Sequence, residues 1–130
     1  MAAKNRVGGL AAALLIFSAA AAAEEWTRFR GPNGSGVSGH TGFPTEFNKD
    51  KNSVWRTRVR PGKSSPVLTA RHIFITGSEN GKLFTQCFDR KSGTLLWERS
   101  EGQARDEIAN ALNHPAAISP VTDGENVYVF

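Results

Sequence analysis

Cys87-Phe88-Asp89-Arg90-Lys91-Ser92-Gly93-Thr94-Leu95-Leu96-Trp97 reads as strand, turn, strand. An aspartate opening a turn can accept hydrogen bonds from the turn amides. A glycine four residues on can take the left-handed conformation that closes a bulged hairpin loop. Leu95, Leu96 and Trp97 then restart an apolar strand. Upstream, Leu83 to Phe88 forms another strand, and Asn80-Gly81 is a two-residue hairpin signal joining it to Ile73-Phe74-Ile75-Thr76.

The neighbouring pieces repeat. Ser65-Pro66-Val67 leads to Ile73-Phe74-Ile75, and Ser119-Pro120-Val121 leads, past an Asp123-Gly124 turn, to Val127-Tyr128-Val129; the interval from Pro to strand is seven residues in both. Trp55, in the apolar-edged stretch Val54–Val59 that also reads as a strand, lies 10 residues before Ser65, and Trp97 lies 22 before Ser119. The second copy therefore carries a 12-residue insertion. A full unit spans about residues 64–99, four short strands, slightly under the roughly 40–45 residues of a four-stranded propeller blade. The next unit begins at about residue 117.

Strand composition narrows the architecture. A sheet with one wet face alternates apolar and polar residues, whereas Ile73-Phe74-Ile75 and Val127-Tyr128-Val129-Phe130 are apolar throughout. Both faces of such a sheet must be covered, as when blades stack radially. A β-sandwich is the alternative, but its outer faces should alternate. The expected fold is all-β, a β-propeller of four-stranded antiparallel blades, with Trp55 and Trp97 filling the gaps between blades.

The spacing Asp89, Gly93, Trp97 (D-x-x-x-G-x-x-x-W) resembles the blade signature of the pyrroloquinoline-quinone-type (PQQ-like) β-propeller repeat, with Cys87 where that family usually has alanine. The opening Trp26-Thr27-Arg28-Phe29-Arg30-Gly31-Pro32-Asn33-Gly34-Ser35-Gly36 also resembles the start of many secreted bacterial members. Since a propeller takes four to eight blades, the resemblance implies that these residues are the N-terminal part of a longer chain. Residues 54–130 would then open the propeller and residues 24–53 form a lead-in loop pinned by Trp26 and Phe29.

Residues 1–23 read as a secretory signal: Lys4 and Arg6, an apolar core from Leu10 to Phe17, and an A-x-A site at Ala21-Ala22-Ala23. A membrane anchor is the rival reading of the 17-residue apolar run from Val7 to Ala23. Cleavage would leave no membrane span and place the protein in the periplasm or outside the cell. The single cysteine, Cys87, excludes an intrachain disulfide, so burial must hold the fold; inside a repeat strand it reads as a small core residue.

Charge excludes some functions. There are 16 Lys and Arg against 12 Asp and Glu, interspersed, which argues against nucleic acid. Gly34-Ser35-Gly36-Val37-Ser38-Gly39 matches G-x-G-x-x-G, but Gly31-Pro32 precedes it and Phe43-Pro44 follows. It therefore lacks the strand and helix that a dinucleotide site requires.

The resemblance implies two functional classes. One is a non-catalytic exported scaffold that binds a protein or other ligand on its loop-bearing face. The other is a quinoprotein dehydrogenase using PQQ and calcium, whose catalytic residues would lie beyond Phe130. That enzyme needs a calcium cage and a catalytic Asp, and commonly a vicinal disulfide, which has no counterpart here. Asp50, Asp89, Asp106 and Asp123 sit in loop or turn positions, and His40, His72 and His114 lack ligand spacing. No catalytic or metal residue is assigned. The insertion at 101–116, read as a short surface helix or long loop, offers Asn110, Asn113 and His114 as candidate ligand-face residues.

Overall fold

The computed structural model describes residues 25–103 and 114–130. Among these the chain is all-β: β1 (Val67–Leu68), β2 (His72–Glu79), β3 (Lys82–Asp89), β4 (Leu95–Gln103), β5 (Val121–Thr122) and β6 (Val127–Tyr128). The first four form one antiparallel sheet in sequence order, and β5 and β6 form a second, two-stranded one. No helix among the described residues is long and apolar enough to cross a membrane.

Local sequence explains the hairpins. Glu79 pairs with Lys82 across Asn80 and Gly81, both at positive φ (52° and 73°), the two-residue turn whose twist matches the flanking strands. Between β3 and β4 the register shifts at Cys87/Phe88, and Gly93 takes φ 71°. β4 continues to Gln103, beyond the Arg99 boundary drawn from sequence, and takes up the first residues of the expected 101–116 helix or loop; residues 104–113, including Asn110 and Asn113, lie outside the described residues.

The register defines two faces. Val67, Phe74, Cys87 and Trp97 are successive cross-strand partners and share one face. Val67, Phe74 and Cys87 form the buried core there, with Val127 of β6 packed against them. Leu68, Ile73 and Phe88 are partners on the opposite face. Trp55 of the preceding segment lines a cleft on that side with Leu68 and Ile73. The β2 core is apolar at consecutive positions because the second sheet covers one face and the lead-in segment the other.

Two expectations are corrected. Val54–Val59 is not a strand. It leads over the sheet face, with the Trp55 ring against Gly93 and the following Arg60 N–H donating to Gln86 Oε1 (2.9 Å), and only at Pro61 does its backbone reach β2, accepting from Ser78 N–H (2.7 Å). Gly77 permits the crossing, because a Cβ there would collide with Arg60. Phe29 is not an anchor; it is 60% exposed. Trp26 does pin the lead-in, exchanging 2.8 Å backbone hydrogen bonds in both directions with Leu68. Its ring lies against Gly31, where a Cβ would come within 2.8 Å.

Candidate functional site

The structure brings Asp89, Gly93 and Trp55 together in one cluster at the hairpin turn and leaves Trp97 apart from them. Asp89 Oδ1 accepts hydrogen bonds from the Ser92 amide and hydroxyl, both at 2.7 Å. The Asp89 carbonyl accepts from the Gly93 amide at 2.8 Å. The Ser92 hydroxyl, then its amide, hold the Asp89 carboxyl below its ordinary range, because both donate to the ionised form. Trp55 lies on Gly93 and donates its indole N–H to the Arg90 carbonyl at 3.0 Å. Trp97 stands on the other face of the sheet, its ring 6.0 Å from Phe74 and 5.7 Å from the Arg99 guanidinium. The two tryptophans therefore flank one sheet from opposite sides.

A second polar cluster escaped sequence reasoning. The Arg60 guanidinium donates to both Glu98 oxygens (3.0 and 2.8 Å), pairs with Glu79, and sits 4.5 Å over the Phe84 ring. Gln86, 4% exposed, accepts from the Arg60 amide and donates to Glu98 at 2.9 Å. Arg60 is the main cause of the lowered Glu98 carboxyl, and the two glutamates raise the guanidinium in return. The available signal was period two: Gln86 and Glu98 interrupt the apolar positions of adjacent strands, and a polar pair on a covered face requires a third partner.

Several other ionisable groups have structural partners. Asp123 accepts from the Asn126 and Glu125 amides and the Tyr128 hydroxyl, which lowers its carboxyl strongly and raises the Tyr128 phenol. His114 accepts at Nδ1 from the Ala116 amide (3.1 Å). His40 stacks edge-on to Phe43, and His72 tilts against Phe74. Burial pushes the Cys87 thiol up to about 11, away from the thiolate a nucleophile requires.

Among the described residues no group of three or more His, Cys, Asp or Glu could hold a metal ion. Asp89 and Asp123 already accept hydrogen bonds from their own turns.

The two sequence repeats meet. The Ser65 amide donates to Ser119 Oγ at 2.8 Å, Lys63 N–H to the Ala116 carbonyl at 3.0 Å, and Thr76 Oγ1 to the Ile118 carbonyl at 2.9 Å. The Thr27 carbonyl accepts from the Thr122 amide (2.9 Å), beside the Trp26–Leu68 bridge. No family model, curated protein or solved structure matches the chain.

Proposed function

We propose that the chain belongs to an exported, non-catalytic β-propeller scaffold of the PQQ-like repeat type, which binds a protein or other ligand on a loop-bearing face. The contact that carries this reading is Ser65 N–H to Ser119 Oγ, which sets equivalent residues of two successive repeats side by side just ahead of β1 and β5. Radial stacking brings the first strands of consecutive blades together at the axis and covers both faces of each sheet. Paired sheets of a sandwich would leave one face of each to water.

A binding role fits the chemistry of the described polar groups better than catalysis does. Asp89 and Asp123 close turns, Glu79 and Glu98 hold Arg60, and His114 caps a local amide. Export rests on the basic, apolar and A-x-A order of residues 1–23. The test is to supply PQQ and calcium to the protein and assay dye-linked oxidation of alcohols and sugars. A scaffold gives no turnover above a cofactor-only control. Turnover abolished by a chelator establishes the dehydrogenase instead.

A further inference from the structure

We propose that the cleft between the lead-in segment and the β1–β2 face binds a small aromatic carboxylate. Two adjoining open clefts, about 560 and 630 Å³, share Leu68 and Arg90 in their walls. Each lies within the roughly 300–1,000 Å³ typical of small-ligand sites. Trp55 and Phe47 line the first, Trp26 and Phe43 the second. Phe47 is 75% exposed and Phe43 65% exposed, so both rings leave much of their surface in water along this groove. Exposed aromatic area concentrated in a concavity favours a ligand with a flat apolar body.

Charge selects the other end of the ligand. Lys49, Arg56 and Arg90 line the first cleft, Arg90 and His40 the second, and neither wall carries an aspartate or glutamate. Lys49 is paired with Asp50 (2.7 Å). Arg56 makes no ion pair among the described residues. Of the seven basic side chains from 26 to 60, Lys49, Lys51 and Arg60 pair with acids, whereas Arg28, Arg30, Arg56 and Arg58 make no ion pair among the described residues, so the local field favours an anion. A guanidinium offers a planar fork that matches a carboxylate.

Parts of the wall are fixed in advance. Arg90 Nη1 donates to the Thr69 carbonyl at 2.8 Å, and the Trp55 indole N–H donates to the Arg90 carbonyl. The Trp55 ring is held against Gly93. Ring surface and cation are thus anchored on one turn. The site would be present whether or not the surrounding architecture is a propeller.

The test titrates the full chain by calorimetry with 2-naphthoate, 2-naphthamide and 2-naphthylmethylammonium, which share a ring and differ in charge. The indole N–H resonances of Trp26 and Trp55 locate the site. Saturable binding of naphthoate is expected, about tenfold tighter than the amide, as two nearby cations at partly screened contact imply. Arg56→Gln should weaken naphthoate roughly three- to fivefold, the scale of one exposed charge pair, and leave naphthamide unchanged. Phe47→Ala should weaken both. Arg58→Gln, a nearby exposed cation absent from the cleft wall, should alter neither, and the indole spectrum reports folding in every variant. Equal affinity for naphthoate and naphthamide, equal effects of Arg56→Gln and Arg58→Gln, or no saturable naphthoate binding would overturn the proposal.

Discussion

Replacing Gly93 with alanine should destabilise the protein through two separable effects. The first is conformational: at φ 71° a Cβ meets the backbone, costing about 1–2 kcal/mol. The second is steric, because the new methyl would land on the Trp55 ring and displace it. Displacement breaks the Trp55–Arg90 hydrogen bond, worth about 1 kcal/mol net, apart from lost ring packing. The expected total is about 2–3 kcal/mol, a midpoint shift of roughly 1–2 M in urea at a typical slope. Gly81→Ala is the control: φ is 73°, but nothing lies within 4 Å of its Cβ position, so only the backbone cost applies. Urea unfolding followed by tryptophan fluorescence compares the two. In a Trp55→Ala background the Gly93→Ala penalty should fall to that of Gly81→Ala. If the two glycine variants cost the same with Trp55 present, the close approach of ring and turn is refuted.

Three further outcomes follow from the polar clusters and the core. Arg60→Met should raise the Glu98 carboxyl toward its ordinary value near about 4.3, read by NMR titration; an unmoved Glu98 contradicts the assigned cause. Asp89, Glu98 and Asp123 all have folded-state values below their unfolded ones, so their stabilisation is present above about pH 4 and lost as pH falls through the folded values. The melting temperature should drop on acidification below about pH 4, and Asp89→Asn should flatten that dependence. Cys87, 1% exposed and with a raised thiol, should react with a thiol reagent only at the rate of unfolding, and rapid native labelling would place it outside the core.

The hairpins were legible because turn chemistry is local: Asn80-Gly81 and Asp89–Gly93 carry their own backbone requirements. The covered faces were legible from consecutive apolar residues in β2. What covers them was not. Val54–Val59 has strand composition, yet propensity cannot distinguish pairing along an edge from crossing a face. Only the missing Cβ of Gly77 marks the crossing, and a lone glycine in a strand has several meanings. The Arg60 cluster joins residues up to 38 apart in sequence, so the period-two breaks mark Gln86 and Glu98 but nothing local points to Arg60 as their partner. Phe29 and Trp26 look equivalent in the sequence, but only Trp26 is tied by its backbone to β1.

The central claim is that successive repeats are blades around one axis. A crystal structure of the protein tests it most directly. The account predicts Val67–Leu68 and Val121–Thr122 side by side at the axis, joined through Ser65 and Ser119, with Leu95–Gln103 at the periphery. Two sheets packed face to face as a sandwich, with β1 and β5 apart, would contradict it.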